Sequence, residues 1–354
     1  MRLHNKQYKK KYSVYNIYKS EVKEPHKQTY KKGVLLVNLG TPADLSYKTL
    51  RKYYAQFIGD ARVVERPPLF WKTLLQLVLL QIIPLKGRAK YRMVWNKQKN
   101  ESPLLTTTRS QAEALQALYE KQGVVVEFAM RYGNPSIEEK MDILKQHGVQ
   151  ELVILPLYPQ YSASTVASVY DEVFRVMQTY RWMPELKMVM NYHKHPSYIH
   201  ALKNSVQTAY NNAAERPQRL VCSYHGIPKS YWKKGDPYPC HCFETTKKLT
   251  EALGFKENEI ISTFQSRFGR EEWVKPYTDD VVKKLAEDGV TNIAVISPAF
   301  ASDCVETLEE LDMELKDVFL DAGGVTYTRL PCLNASDDHI MMMKHIVDDK
   351  LGLK

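Results

Sequence analysis

The chain has 354 residues, 44% hydrophobic and 25% charged, enough for two domains or one large one around a sizeable core. Its net charge of +10 is uneven, because residues 1–32 carry a surplus of eight positive charges and residues 33–354 carry only +2. A nearly neutral body gives little support to general nucleic-acid binding, which would depend on the tail alone. No run of 18 apolar residues occurs, so the sequence predicts no membrane-spanning helix.

The basic segment 1–32 is open to three interpretations. A solvated, flexible basic tail is the first, and attachment to an anionic membrane surface is the second. A transit peptide is the third and has the least support, because such peptides are rich in Arg and Ser and this segment is rich in Lys and Tyr. Five cysteines, an odd number with no secretory signal before them, indicate a reducing, cytoplasmic compartment.

Short apolar runs alternate with amphipathic segments from residue 33 onward. This alternation predicts an α/β fold in which helices cover parallel sheets. The predicted strands are 33–42, 124–133, 151–159, 219–228, 259–269 and 292–300. The predicted helices are 107–121, 136–147, 164–180, 196–212, 243–253, 275–288 and 305–319.

The chain also repeats itself. Residues 131–162 and 267–302 both run from Arg-aromatic-Gly through a helix and an apolar strand to a small polar loop, and 35–42 resembles 220–228. Duplication predicts two similar Rossmann-like lobes with a ligand cleft between them, beyond the carboxyl ends of the strands. The predicted units are a tail (1–32), a first lobe (33–190), a second lobe (191–340) and a C-terminal helix (341–354).

Two of the loops that follow strands hold titratable residues. His225, in SYHGIP, comes directly after an apolar strand, where a histidine is suited to transfer protons near neutral pH. A histidine that only bonds the loop backbone fits the motif equally well. Glu306, in SDCVETLEELD, lies at the start of a helix that Ser302 or Asp303 could cap. It could bind a hard cation or relay protons, or belong to a solvated acidic face together with its neighbours.

Arg131 and Tyr132, in MRYGNP, and Tyr161 and Ser162, in YPQYSAST, follow other strands and could hold the carboxylates of an acidic ligand. The Ser/Thr run could equally cap the next helix. The apolar segment 67–85 is too short to span a bilayer. It fits either a core helix or, slightly better, a lip beside an apolar cleft that also contacts membrane.

The sequence does not contain the motifs of zinc-ribbon, nucleotide-binding or hydrolase sites. Cys240 and Cys242, in PCHC, do not supply the two Cys-x-x-Cys pairs of a zinc ribbon, and structural or incidental thiols are the better interpretation. The sequence contains no phosphate-binding loop and no nucleophile elbow. Nucleotide-dependent chemistry is therefore unsupported.

Taken together, the motifs resemble those of the ferrochelatases. SYHGIPKSYWKKGDPYPC (223–240) and PAFASDCVETLEELD (298–312) are similar to the two signatures of that family. LVNLGTP (36–42), LYPQYSAST (157–165) and FQSRFG (264–269) are further matches, in the family's order across residues 33–340. The resemblance therefore covers nearly the whole body of the chain.

The resemblance implies a chelatase fold and the insertion of Fe²⁺ into protoporphyrin IX, the last step of haem synthesis. It implies that His225 and Glu306 face each other across the porphyrin as catalytic residues and metal ligands. Arg131, Tyr132, Tyr161, Ser162 and Leu39 are the implied substrate-binding residues. Coproporphyrin III as substrate, a non-catalytic porphyrin or haem carrier, and a chelatase for a more polar tetrapyrrole are the alternatives.

The sequence also departs from some members of the family. Cys304 stands where mitochondrial members carry His, and no cysteine-rich extension precedes the end of the chain at Lys354. No iron–sulfur cluster and no required cofactor are therefore expected, with iron as a substrate. Cys304 and the lack of a convincing transit peptide together suggest a bacterial, cytoplasmic enzyme. Segment 67–85 and the basic tail suggest that it contacts the surface of the inner membrane.

Overall fold

The apolar runs form eight parallel strands in the computed structural model, which describes residues 30–353. The first four strands are β1 (Lys31–Thr41), β2 (Val125–Gly133), β3 (Val149–Pro156) and β4 (Glu185–Met188). The second four are β5 (Arg219–His225), β6 (Ile260–Gln265), β7 (Asn292–Ile296) and β8 (Thr326–Arg329). One sheet has the order β2-β1-β3-β4 and the other β6-β5-β7-β8, so both sheets connect their strands in the same way. The predicted α/β fold with two parallel sheets is confirmed.

The inner strands are buried on both faces, as parallel strands covered by helices require. In β1, Val34 and Leu35 are both fully buried, although they point to opposite faces of the sheet. The edge strands β4 and β8 were not predicted from the sequence. Each has only four residues and includes polar ones, so neither gives the continuous apolar run that identifies a buried strand.

Helices connect the strands and cover both sheets. In the first half they are α1 (Tyr47–Phe57), α2 (Pro68–Val94), α3 (Pro103–Tyr119), α4 (Ile137–Gln146) and α5, a π-helical turn Ala163–Ala167 followed by Ser168–Met177. In the second half they are α6 (Pro196–Asn212), α7 (Lys229–Lys233), α8 (Tyr238–Leu253), α9 (Thr278–Glu287), α10, a π-helix Glu306–Glu314 followed by Leu315–Asp321, and α11 (Asp337–Leu351). Ser46, Ser102 and Ser136 cap α1, α3 and α4 with their hydroxyl oxygens.

Helix α2 corrects a prediction made from the sequence. The apolar segment does not end near residue 85 but continues to Val94, giving 27 helical residues that are long and apolar enough to cross a membrane by length and composition. Pro84 lies inside this helix and cannot donate to the carbonyl of Leu80. The Tyr47 hydroxyl donates to that carbonyl instead, at 3.0 Å, so the helix passes through Pro84 with its backbone satisfied.

The C-terminal helix joins the two halves. Helix α11 starts four residues before the predicted boundary and packs against both α6 and α3. The Tyr119 hydroxyl of α3 donates to Asp348 at 2.7 Å, and the Lys32 ammonium donates to the Leu351 carbonyl at 2.7 Å. Lys31 and Lys32, placed in the tail by the sequence, thus belong to β1. The rest of the predicted tail, residues 1–29, lies outside the described residues.

Candidate active site

A cleft lies between the two sheets, at the carboxyl ends of their strands. Its walls come from the segments that end or follow β1, β3, β5 and β7, and from α1 and α2. It holds about 1260 Å³ of empty space, part of it open to solvent. Concave, partly open sites of this kind between two layers of structure are common places for ligands to bind.

His225 is the last residue of β5 and lies half-buried on the cleft wall. Its Nδ1 is 2.7 Å from the Gly226 carbonyl oxygen. Because a carbonyl only accepts, Nδ1 of the neutral ring carries the proton, and Nε2 keeps a lone pair. The rings of Trp273 and Phe300 lie 6.4 and 6.5 Å from the imidazole. The imidazole is thus oriented by its own loop, with Nε2 available as a base.

Gly226 is required for this arrangement. A Cβ at this position would come within 3.0 Å of both the Gln265 carbonyl oxygen and the Trp273 ring. The Gly226 N–H also donates to that carbonyl, at 2.9 Å. The close approach of β6 therefore fixes the backbone next to His225, which explains why glycine follows the histidine.

Glu306 opens the π-helix of α10 and is half-buried on the cleft wall. Burial raises the pKa of the Tyr53 and Tyr91 hydroxyls well above the usual value, and the nearby Glu306 carboxylate adds to the shift. The pKa of Tyr54 is raised for the same two reasons. These phenols therefore stay protonated near Glu306 and can act as hydrogen-bond donors.

Further carboxylates extend from Glu306 along α10. Burial, and then the charge of Glu306, raise the pKa of Glu310, which accepts hydrogen bonds from Ser266 and Gln265. One turn on, Glu314 is exposed and lies 3.3 Å from the Lys90 ammonium. Glu306, Glu310 and Glu314 thus form a row of carboxylates from the cleft to the surface. A protonated Glu310 can exchange protons with its neighbours in this row.

The structure brings four of the seven predicted site residues to the cleft. Leu39, at the end of β1, and Ser162, before α5, line it from the first sheet's side. His225 and Glu306 line it from the second sheet's side. The sequence placed His225, Glu306 and Ser162 after strands, and Leu39 came from the family resemblance alone. The carboxyl ends of parallel strands meet at one edge of each sheet, which brings such residues together.

Arg131 and Tyr132 do not line the cleft but form a buried cluster behind it. The Arg131 guanidinium, the Tyr132 hydroxyl and the Ser168 hydroxyl donate to one oxygen of Asp60, at 2.7, 2.8 and 2.6 Å. Burial alone would raise the pKa of Asp60, but these hydrogen bonds, one from the Arg62 N–H and the charge of Arg131 hold it below its usual value. Both side chains thus fix α5 to the loop that carries Asp60.

Tyr161 also lies beside the cleft rather than on its wall. Its backbone N–H donates to Nδ1 of His241 at 3.2 Å, and its half-buried ring packs on the core of the first lobe. Of the cysteines, Cys304 lines the cleft next to Glu306, Cys240 is exposed, and Cys222 and Cys242 are buried. Within residues 30–353, no group of three or more His, Cys, Asp or Glu could hold a metal ion.

Sequence reasoning missed several residues of the cleft wall: Tyr53, Phe57, Tyr91, Gln160 and Trp273. Tyr53 lies on α1 and Tyr91 lies near the end of α2, beyond the apolar segment 67–85, and only the packing of α1 on α2 turns them toward Glu306. Trp273 follows FQSRFG in a loop with no periodic pattern. Gln160 lies inside the motif LYPQYSAST, which offered a local signal for it. For Tyr53, Phe57, Tyr91 and Trp273 the sequence carries no such signal, since long-range packing alone brings them together.

The fold is similar to that of solved metal chelatases. SirB from Bacillus subtilis with Fe³⁺ matches with a TM-score of 0.56 and 13% identity, covering 90% of this chain and 95% of that chain. The sirohydrochlorin chelatase SirB from Bacillus subtilis subspecies spizizenii in complex with cobalt matches with a TM-score of 0.51 and 12% identity, at the same coverage. At these identities the likeness concerns the fold alone, and it defines the protein as one with a chelatase fold.

The sequence comparisons are more specific. The ferrochelatase family model matches residues 31–351. Ferrochelatases of Allorhizobium ampelinum and Agrobacterium fabrum are 47% identical over 322 residues, covering 91% of this chain and 94% of theirs. The ferrochelatase of Brucella ovis is also 47% identical, with 92% of its length covered. The chain belongs to the ferrochelatase family, and it is a lyase that inserts iron into a porphyrin.

Proposed function

We propose that the substrates are protoporphyrin IX and Fe²⁺, and that the product is protohaem. The observation that supports this choice is the charge of the cleft. Of the described residues that line it, only His225 and Glu306 are acidic or basic, and none is Lys or Arg. Coproporphyrin III carries four propionates and protoporphyrin IX only two, and a buried carboxylate without a cationic partner is costly. A cleft lined this way favours the porphyrin with fewer carboxylates.

In the proposed reaction, Fe²⁺ enters the ring as the two pyrrole N–H protons leave, and no electrons are transferred. His225 Nε2 takes the two protons from one face in succession, releasing the first before it accepts the second, because its single lone pair is available while Nδ1 donates to the Gly226 carbonyl. Glu306 contacts the iron, and the row that continues through Glu310 carries protons outward to the surface or metal inward from it. Both residues are proposed to contact the iron. Iron is a substrate here, and the proposal needs no resident cofactor.

The other predicted binding residues have two kinds of role in this proposal. Leu39 and Ser162 contact the porphyrin directly, since both line the cleft. Arg131, Tyr132 and Tyr161 act from behind, by fixing the start of α5 and the loop before it. A rigid wall preserves the binding geometry that a flat, apolar ring requires.

The substrate proposal is tested by anaerobic incubation of the protein with Fe²⁺ and either porphyrin, following the loss of free-porphyrin fluorescence. We expect a higher kcat/KM with protoporphyrin IX. A higher value with coproporphyrin III would overturn the substrate assignment and leave the family activity intact. Binding of either porphyrin at one to one without metal insertion would instead favour the carrier interpretation.

We also propose that the protein is cytoplasmic and that α2 lies on a membrane surface beside the cleft. Leu69, Phe70 and Leu77 are exposed, and only 17% of the most apolar window of α2 is buried. The opposite side of the helix packs on α1, where the Trp71 indole N–H donates to the Ile58 carbonyl at 2.9 Å. A helix held to its lobe in this way fits the interface of a bilayer better than its interior.

The membrane proposal is tested by sedimentation with vesicles that contain anionic lipid. Leu69→Asp together with Leu77→Asp should lower binding at least tenfold, since each change places a charge in the apolar surface. Val325→Asp is the matched control, because Val325 is equally exposed but distant in sequence from α2. Equal binding of the double variant and the wild type would contradict the proposal.

A further inference from the structure

One buried carboxylate joins the two lobes at the edge of the cleft. Asp236 precedes α8 in the second lobe and is only 8% exposed. Its Oδ1 accepts from the Tyr238 N–H at 3.0 Å, at the start of α8. Its Oδ2 accepts from the Ser162 hydroxyl at 2.9 Å and the Ala163 N–H at 2.8 Å, at the start of α5 in the first lobe.

Asp236 therefore lies between two helix N-termini, one from each lobe. The first N–H groups of a helix have no partner within it, and they carry partial positive charge. A carboxylate that accepts from both sets satisfies both helix ends at once, and its own buried charge is stabilised by those donors. The start of α5 and the start of α8 are thus held at a fixed separation.

His241, in the first turn of α8, makes a second link to the same loop. Its Nδ1 accepts from the Tyr161 N–H at 3.2 Å, and its ring stacks on His193 with centroids 3.8 Å apart and planes 9° from parallel. His193 is oriented in turn by Glu244, 2.7 Å from its Nε2. Burial, and then His193, lower the pKa of His241 to about 4, so its ring is neutral at working pH and Nδ1 can accept.

We propose that Asp236 and His241 are positioning residues that set the separation of the two cleft walls and thereby the affinity for the porphyrin. Ser162 on one side of this joint and Tyr238 on the other both line the cleft. His225 and Glu306 both come from the second lobe, so their placement relative to each other does not depend on the joint. Loosening the joint therefore raises KM for the porphyrin and leaves kcat nearly unchanged. This inference rests on the porphyrin activity, whichever porphyrin is the substrate.

The His241 link is tested with three substitutions. His241→Ala removes the acceptor and should raise KM for the porphyrin about tenfold, the effect of one lost hydrogen bond. The amide oxygen of His241→Asn can occupy the Nδ1 position, so this variant should restore KM to within about threefold of wild type. The oxygen of His241→Gln extends toward the Nε2 position and should not restore it. Equal KM values for the Ala, Asn and Gln variants would overturn the role of this hydrogen bond.

Asp236→Asn tests the shared carboxylate, since an amide presents one donor group where both helix ends need acceptors. We expect KM to rise between tenfold and a hundredfold, because charged hydrogen bonds contribute more than neutral ones. Ser136→Ala is the control, because Ser136 caps α4 away from the cleft and its loss should leave KM unchanged. A lower melting temperature with unchanged KM would show a purely structural role and overturn the proposal.

If the Asp236→Asn variant does not fold, the KM values of the three His241 variants alone test the proposal. All values are ratios to wild type, measured with the porphyrin that the wild type metallates. A wild type that prefers coproporphyrin III would therefore refute the proposed substrate without affecting the test of the joint.

Discussion

The two lobes share a strand order but differ in what their loops carry. Strand β1 brings Leu39, followed by Gly40, to the cleft, and the matching strand β5 brings His225, followed by Gly226. In both lobes the helix after the third strand begins with π-helical turns, and in the second lobe the first residue of that π-helix is Glu306. The first lobe thus supplies apolar and hydroxyl surface where the second supplies a base and a carboxylate.

This difference shows how a duplicated fold can assign substrate binding to one lobe and proton transfer to the other. The repeated sheets fix where the loops lie, and the residues at the loop positions decide what each wall does. Binding surface on one wall and proton chemistry on the other suit a flat substrate that must be held on both faces while protons leave. The division predicts that substitutions of His225 and Glu306, the titratable residues of the second lobe's cleft wall, lower kcat, and that substitutions of the first lobe's cleft wall raise KM.

The largest expected effect is that of His225→Ala. Removing the proposed base should lower kcat for iron insertion by about 10²–10⁴-fold, the usual contribution of a positioned proton acceptor. The chain should still fold, since His225 is half-buried and, within residues 30–353, its side chain bonds the neighbouring Gly226 carbonyl and no other element. Anaerobic insertion kinetics and circular dichroism check both parts. His200→Ala, an exposed histidine on α6, should behave as wild type. Near-normal turnover of His225→Ala would refute the assignment of the base.

Glu306→Gln should have the next largest effect, lowering kcat about 10²-fold. The amide keeps the shape of the side chain but cannot take a proton or neutralise a cation. The substitution should also lower the pKa of Glu310, because it removes the Glu306 charge that helps to raise that pKa. The pH profile of kcat measures this second effect. Asp317→Asn, on the exposed side of α10, serves as the control. A profile identical to wild type would show that the two carboxylates act independently.

Part of this site could be predicted from the sequence, for a physical reason. His225 and Glu306 follow apolar runs, and the geometry of parallel sheets brings strand ends together without knowledge of any other contact. Arg131 and Tyr132 also lie at the end of a strand, β2, yet their polar atoms pair with Asp60, 71 and 72 positions away in the sequence. No local pattern reveals such a partner, so direct substrate contact could not be distinguished from structural support.

The length of α2 likewise depends on a contact with a residue distant in sequence. A proline and nearby lysines normally end a helix in a sequence-based reading, and residue 85 is where the apolar pattern stops. The helix continues because Tyr47, 33 positions earlier than Leu80, supplies the donor that Pro84 lacks. The short edge strands β4 and β8 were missed for the converse reason, since their pairing and not their composition makes them strands.

The third prediction concerns the loss of stability at acid pH, to which His339, in the second half of the molecule, should contribute. Burial lowers the pKa of His339 to about 4, from an ordinary value of 6.5. The unfolded chain then binds a proton between these values that the folded protein does not, so stability is complete above pH 6.5 and falls as the pH drops toward 4. At pH 5 the loss from this residue is about 2 kcal/mol.

His339→Asn can still donate to the Asn334 carbonyl through its amide, but it has no group that titrates in this range. The variant should be less stable at pH 7 because of the smaller side chain, and should lose about 2 kcal/mol less than wild type between pH 7 and pH 5. Urea unfolding at the two pH values measures the difference. An equal loss in both proteins would assign the acid sensitivity to other groups, such as His241.

The smallest expected effect is that of Leu39→Asp, which places a charge in the first lobe at the position matching His225. We expect KM for the porphyrin to rise about tenfold, since a leucine contact of roughly 1.5 kcal/mol is lost and a carboxylate must be desolvated. The value of kcat should change less than threefold, because the base and the carboxylate of the second lobe keep their places. Leu39→Met, which keeps an apolar side chain of similar volume, should leave both constants near wild type. A fall in kcat with unchanged KM would mean that the first lobe takes part in the chemistry. Binding and proton transfer would then not be separated between the two walls as their residues indicate.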